Sequence, residues 1–294
     1  MILNEDQRMV RDAVREFVAA EITPNAAQWD REKTFPRDAL TGLAQLGCMG
    51  VAVPAELGGA GLDYQSLAII LEEIAAGDGA TSTIVSVNNC PVSSILMAWA
   101  SPEQQAMWLE PVASGKLLGA FCLTEPHVGS QAAGLKTTAV LQGDVYVLNG
   151  VKQFITSGET ADLAVVMAVT DKGAGKKGIS AFVVPTDTPG YQVMGLEDKL
   201  GQRASDTAQI RLEDCRIPAA YMLGQPGQGL KIALSGLEGG RIGIAAQAVG
   251  MARAAFEAAL AYAKQREAFD KPIFEHQAVQ FRLSDMAMQI EAAR

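Results

Sequence analysis

Phe121–Gly134 reads FCLTEPHVGSQAAG. It begins as an apolar strand, breaks at Pro126, and continues through the small residues Gly129, Ser130, Ala132, Ala133 and Gly134. A strand that opens into a Gly/Ser/Ala loop lets a flat, polar ligand approach the backbone, because no large side chain stands in the way. Thr124 and Ser130 place hydroxyls on either side of the break. Lys152–Gly158, KQFITSG, has the same grammar: an aromatic, then Thr156 and Ser157, then Gly. Two such strand ends facing each other can hold a planar heterocycle by an edge. Taken alone, a Gly/Ser loop after a strand is most often only a turn. Gly129 and Gly134 have P-loop spacing, but Leu135 separates Gly134 from Lys136-Thr137, so the Gly-Lys-Ser/Thr run is absent. Gly58-Gly59-Ala60-Gly61 follows Pro54 and precedes a helix, which makes it a connecting loop.

Around this stretch the pattern is one of strands. Leu117–Leu123, Thr137–Leu141, Val145–Asn149, Leu163–Thr170, Ile179–Pro185 and Thr207–Leu212 are short β-rich runs, separated by Gly-Asp, Asn-Gly, Lys-Gly and Pro-Gly turns. Strands this close, with no helices between them, predict an antiparallel sheet or small barrel, not a Rossmann unit.

On either side the chain reads helical. Asn4 and Gln7 form a capping-box signature, with Val10, Val14, Phe17 and Val18 on one stripe. Pro36 suits a first helical position and Gly47 a stop. Asp63 caps a helix running through Ile74, and Ser101-Pro102-Glu103-Gln104 repeats the cap signature. Arg241 to about Arg266 is a long Ala-rich helix in which Gly243 and Gly250 would let another helix pack closely. His276–Arg294 is a second helix, with Val279, Leu283, Met286 and Ile290 on one face. These two helices need apolar partners, and none are expected to remain in this sequence. The expected class is α+β, in three parts: an N-terminal helical domain (1–116), a middle antiparallel β-barrel-like domain (117–222), and the first half of a C-terminal helical bundle (223–294).

Composition narrows the function classes. The 294 residues are 49% apolar and 19% charged, which fits a globular chain with a sizeable core. A net charge of −9 argues against a general nucleic-acid binder, while leaving room for an anionic ligand in a local basic pocket. No run approaches the ~20 apolar residues of a membrane span. The start, MILNEDQRMV, is neither basic nor a long apolar run, so no signal peptide is expected. Cys48, Cys90, Cys122 and Cys215 form no CxxC and are expected to be reduced and buried. Two distant histidines, His127 and His276, do not suggest a metal site or Ser-His-Asp chemistry.

CLTEPHVGS, KQFITSG, DKLGQRASDT, LEGGRIGIAAQAVG and KQREAFDKPIFEHQ, in that order, resemble the acyl-CoA dehydrogenases over essentially the whole chain. The run SVNN (Ser86–Asn89) and the wording KKGISAFVVPTDTPG are most similar to the short-chain and short-branched-chain members. The resemblance implies α,β-dehydrogenation of an acyl-CoA thioester with FAD as hydride acceptor, electrons passing to an electron-transfer flavoprotein. By position it implies that Phe121, Cys122, Leu123, Thr124, Gly129 and Ser130 line the flavin and its pyrophosphate, with Thr124 at the pyrimidine edge. Phe154 and Ile155 would pack beside the ring, and Thr156 would donate towards N5. Ser130, Glu238 and Arg241 would contact the substrate, although Glu238 and Arg241 alone read as an i,i+3 surface pair. Asn88 and Asn89, by themselves a helix end, would lie near the acyl pocket. Arg266, Phe269 and Gln277 would reach the FAD of a neighbouring subunit, implying a homo-oligomer, commonly a dimer of dimers. A bacterial cytoplasm is the expected compartment, a mitochondrial matrix the alternative.

The sequence departs from the family pattern at Val128 (usually smaller), Gln131 (usually Asp), Phe154 (usually Trp), Glu238 (usually Asp) and Asp270 (usually Gly). None removes a flavin-contacting hydroxyl. The family's base is usually a Glu on a later helix, which here would fall beyond Arg294. In some members it immediately precedes the position of Arg241, where this chain has Gly240. The catalytic base is therefore expected outside these residues, and two alternatives stay open: a truncated non-catalytic acyl-CoA or flavin binder, and a flavin oxidase or monooxygenase on the same scaffold.

Overall fold

The computed structural model describes residues 3–294. Asn4 opens the first helix as its spacing predicts. Its side-chain oxygen accepts from the Gln7 amide at 2.8 Å, and the Gln7 side chain accepts from the Asn4 amide at 3.2 Å. The α-helices up to residue 113 are α1 (Glu5–Phe17), α2 (Thr23–Glu32), α3 (Arg37–Gln45), α4 (Tyr64–Gly77), α5 (Gly79–Val87), α6 (Ser94–Trp99), α7 (Pro102–Gln104) and α8 (Glu110–Ala113). Val14 and Val18 are buried on the predicted stripe, with Val10 and Phe17 half-buried beside them. Asp63 caps α4 by accepting from Ser66 N at 2.7 Å, and α4 runs past Ile74 to Gly77. Pro36 stands just before α3 rather than in its first turn, and Gly47, at φ 74°, follows its end.

The strands are β1 (Gly119–Cys122), β2 (Thr138–Gln142), β3 (Val145–Thr156), β4 (Leu163–Val169), β5 (Ile179–Pro185), β6 (Tyr191–Leu196), β7 (Thr207–Pro218) and β8 (Met222–Leu223). They form one sheet in the order β6-β7-β3-β2-β4-β5-β8, with β1 pairing β4. The sheet is open at β6 and β8, so the barrel-like expectation is corrected to an unclosed sheet. Most pairs are antiparallel, but β1–β4 and β2–β4 are parallel. Asn149-Gly150, read above as a turn, is instead a bulge inside a single long β3. There Gly150 takes φ 157°, and a Cβ would meet Thr137 Oγ1 at 2.3 Å. The central strands are buried on both faces. Ala164, Val166 and Ala168 of β4 belong to a core shared with α4 and α5, while Leu163, Val165 and Met167 pack with Trp108, Leu109 and Ile232 on the other side. This two-sided burial is why β4 and β5 read as unbroken apolar runs.

Two helices complete the chain, α9 (Gly229–Gln265) and α10 (Gln277–Ala293). α9 starts twelve residues before Arg241, its predicted start (241 − 229). Gly236, Gly243 and Gly250 recur every seven residues on its buried side. An added Cβ would meet Ile95 at 2.7 Å, Ser86 Oγ at 2.4 Å and the Glu72 carbonyl at 2.2 Å, respectively. Small residues here do admit close helix packing, and the partners are α4, α5 and α6 of the same chain. That corrects the expectation that α9 lacks a partner. On α10, Leu283 is buried, Val279 and Ile290 are half-buried and Met286 is 40% exposed.

Candidate functional site: a cleft between two strand ends

A cavity of about 660 Å³ opens where four segments converge. Phe121, Leu123, Thr124, Gly129 and Ser130 supply one wall from β1 and the loop after it, and Phe154, Ile155 and Thr156 a second from the end of β3. Thr83, Ser86, Val87, Cys90 and Pro91 come from α5 and the turn beyond it. Leu234, Leu237, Gly240, Arg241 and Ile244 come from α9. Thr124 and Thr156 therefore share one cleft, as the two strand-to-loop motifs predict.

Backbone pairing explains the convergence. The Gln153 amide donates to the Thr124 carbonyl at 2.9 Å, joining the end of β1 to β3. Between Lys152 and Ile155 the register of β3 against β7 slips. Phe154 takes φ 58° in this bulge, and its ring is thrown out of the sheet to 61% exposure at the cavity. Pairing resumes at Ile155 and Thr156.

Behind the cleft lies a feature the sequence reading missed. Lys152 and Glu125 form an ion pair at 2.9 Å, with side chains 0% and 2% exposed. Glu125 also accepts from the amides of Lys136 at 2.7 Å and Thr137 at 3.0 Å. Burial pushes the Glu125 carboxyl upward, but Lys152 and the amide donors outweigh it and hold the group below its usual value. Burial likewise pulls the Lys152 ammonium below its ordinary range against the opposing pull of Glu125. An acid and a lysine 27 residues apart look like two solvated surface charges in sequence, and nothing in their spacing pairs them.

Some expected site residues lie elsewhere. Cys122 is fully buried in the α4–α5 side of the core, because alternation along β1 points it away from the cleft that Phe121 and Leu123 face. Burial pushes its thiol up to about 12. Glu238 is exposed outside the cavity lining and makes no ion pair with Arg241 among the described residues. Asn88 and Asn89 do not line the cavity; their buried side-chain amides tie the end of α5 to neighbouring backbone segments. Asn89 accepts from Val51 N and donates to Cys48 O, and Asn88 donates to Met49 O and accepts from Gly119 N. Arg266, Phe269 and Gln277 lie around a turn past the end of α9, about 25 residues and roughly 37 Å of helix from Arg241. None lines the cavity. Phe269 is 90% exposed, with φ 56°, edge-on to His276. Val128 is buried outside the cavity lining, and Gln131 is exposed.

Models of the acyl-CoA dehydrogenase N-terminal, middle and C-terminal domains match residues 4–116, 120–215 and 227–294. The rat mitochondrial short-chain specific acyl-CoA dehydrogenase is 46% identical over 292 residues, covering 99% of this chain and 71% of the relative. The chain belongs to the acyl-CoA dehydrogenase family. A chain solved in work on the electron transferring flavoprotein of Acidaminococcus fermentans superposes with a TM-score of 0.97 at 42% identity, over 99% of this chain and 77% of that one. A glutaryl-CoA dehydrogenase from Mycobacterium smegmatis in complex with FADH2 superposes at 0.93 and 36% identity, over 99% and 74%.

Acyl-CoA dehydrogenases are FAD-dependent oxidoreductases, and the cleft fits a flavin on three observations. Thr124 and Thr156 line it with hydroxyls that have no protein hydrogen-bond partner among the described residues. A Cβ at Gly129 would meet no atom within 4 Å, so the loop leaves open space there. Phe154 offers an exposed ring face beside the two hydroxyls. Besides the Cys90 thiol, Arg241 is the one ionisable side chain lining the cavity among the described residues, and no carboxylate lines it.

Proposed function

We propose that this acyl-CoA dehydrogenase acts on short-chain or short-branched-chain acyl-CoA thioesters, giving the 2-enoyl-CoA and passing electrons to an electron-transfer flavoprotein. The observation that carries the reading is the shared cleft of Thr124 and Thr156. When bound, FAD supplies the acceptor for a hydride from the substrate β-carbon. Thr124 would hold the ring's pyrimidine edge and Thr156 would donate towards N5, with Phe121, Leu123, Phe154 and Ile155 packing around them. Gly129 and Ser130 leave room for the pyrophosphate. Cys122 contributes through its backbone, since its thiol faces the core.

On the substrate side, Val87, Pro91, Leu234 and Leu237 form an apolar wall that excludes water from an acyl chain, which strengthens every polar contact inside. Ser130 sits where the two ligands meet, and Arg241 offers a guanidinium to a CoA phosphate. Glu238, one turn before Arg241 on α9, lies on the outer side of that contact. The α-proton goes to a carboxylate supplied from outside residues 3–294. Arg266, Phe269 and Gln277 serve the cofactor of a second copy, in a homo-oligomer built as a dimer of dimers. The working division is a helical domain over 1–116, a β-domain over 117–222 and bundle helices over 223–294, in a bacterial cytoplasm. The similarity to the rat short-chain enzyme and to the chain solved with work on an electron transferring flavoprotein supports the substrate and acceptor assignments.

Reduction of the FAD-loaded full-length protein by butyryl-, isobutyryl- and octanoyl-CoA tests this. Butyryl- or isobutyryl-CoA should exceed octanoyl-CoA by at least roughly tenfold in kcat/KM, given about 1–3 kcal/mol per misplaced methylene. Equal rates would remove the short-chain assignment. The absence of a carboxylate from the described cavity lining favours a second reading, a binder that does not turn over. Turnover by these 294 residues alone would contradict both that reading and an external base.

A further inference from the structure

The Glu125–Lys152 pair has no part in the chemistry outlined above, yet it sits at the root of both arms of the cleft. Lys152 Nζ donates to Glu125 Oε1 at 2.9 Å and to the Leu123 carbonyl at 3.3 Å, so one ammonium grips the residues on both sides of Thr124. The next residue, Gln153, donates its amide to the Thr124 carbonyl at 2.9 Å. The segment Leu123–Glu125, with Thr124 at its centre, is thus tied at three points to Lys152-Gln153, and Phe154 and Thr156 lie just beyond on the same strand. The Glu125 carboxylate closes the other arm. It accepts from Lys136 N and Thr137 N, pinning both ends of the loop that carries Gly129 and Ser130. The half-exposed imidazole of His127 lies beside the pair, with Nε2 3.7 Å from Glu125 Oε2.

A buried ion pair is a poor source of stability, because desolvation offsets most of the attraction; apolar residues of similar volume often stabilise as well or better. Its distinguishing property is geometric. It fixes two backbone segments with directional, charge-assisted bonds in a place that water does not reach.

We infer that Glu125 and Lys152 are positioning residues that set the spacing of the Thr124 and Thr156 hydroxyls, and the shape of the Gly129–Ser130 loop, before the flavin arrives. This rests on the placement of the flavin in this cleft. The pair touches neither flavin nor substrate; it acts through the backbone of the residues that do.

The test uses the full-length protein with Glu125→Gln, Lys152→Met and the double variant, measuring FAD affinity, the visible flavin spectrum and the unfolding temperature of the flavin-free form. Each single variant should bind FAD roughly ten- to hundredfold more weakly, the range found for groups that orient the ligands of a metal site. The neutral double variant should recover most of the unfolding temperature, because no lone charge stays buried. It should nevertheless keep the weakened affinity and a shifted flavin absorption band. A purely structural pair predicts that affinity and spectrum recover together with folding, and that result overturns the inference. Should the variants not fold, amide exchange in the unmodified flavin-free protein decides it. The amides of Lys136, Thr137 and Gln153 should be protected already; exchange at open-loop rates until FAD is added contradicts preorganisation. An unmodified protein that takes up no FAD instead defeats the placement of the flavin, with the clamp still readable by exchange.

Discussion

Arg241 is the cation that faces the cavity, and its role separates from that of the threonines by what its loss should do. A guanidinium that contacts a CoA phosphate binds ground state and transition state alike, so its removal raises KM and leaves kcat alone. Arg241→Ala should raise KM for butyryl-CoA about tenfold, as expected for a charge-assisted contact of about 1.5 kcal/mol, with little change in kcat. The effect should shrink as salt screens the pair. A fall in kcat with KM unchanged would place Arg241 in the chemistry instead. At this scale the sequence was partly legible. Thr124, Ser130, Phe154 and Thr156 reach the cavity from strand-to-loop breaks that leave local marks, whereas Arg241, by itself read as half of a surface pair, was placed by the family resemblance. Cys122 was misplaced because a motif read as a continuous run ignores the alternation of a strand. Asn88 and Asn89 looked like a helix end, yet their amides satisfy buried backbone groups, a task visible only once Val51, Met49 and Gly119 are brought beside them.

At the scale of elements, α9 carries both the cavity wall and the seam against α4 and α5. Its glycines divide sharply. Gly250 lies over the Glu72 carbonyl, a backbone atom that cannot rotate away, whereas a Cβ at Gly240 would find only the Cys90 carbonyl at 3.7 Å. Gly250→Ala should destabilise by about 2 kcal/mol through overpacking, and lower the unfolding temperature by roughly 4–8 °C. Gly240→Ala should be neutral or stabilising by up to about 1 kcal/mol, because alanine is the better helix former. Equal unfolding temperatures for the two variants would show that the seam has slack. The long helices, the capping boxes and the apolar central strands were readable because local pattern and tertiary burial agree. Most of β6 is solvent-exposed and so lacks alternation, and β8 has only two residues. Asn149-Gly150 carries the composition of a turn, but the close approach of Thr137 makes it a bulge.

Over the whole molecule, the N-terminal helices and the long C-terminal helix α9 meet at charges as well as apolar faces. Glu73 of α4, 5% exposed, bonds Arg15 of α1 and Arg253 of α9, each at 2.7 Å. Burial alone would raise its carboxyl, but the two arginines hold it below the usual 4.5. The folded state therefore binds this proton less readily than the unfolded state. The stability from Glu73 is full above about pH 4.5 and is lost as pH falls through the lowered folded value. Urea unfolding at pH 6 and pH 4 should show the loss, and Glu73→Gln should flatten that part of the profile; an unchanged profile would assign acid sensitivity to other groups. The cleft sits where helices and strands converge, so its integrity reports on the whole arrangement. FAD titration of the full-length protein and of the Thr124→Val/Thr156→Val double variant measures it directly. Loss of two hydrogen bonds worth about 1 kcal/mol each should weaken FAD binding roughly thirtyfold, with the flavin-free unfolding temperature unchanged. Wild-type affinity in the double variant would mean that the flavin does not lie between these two strand ends.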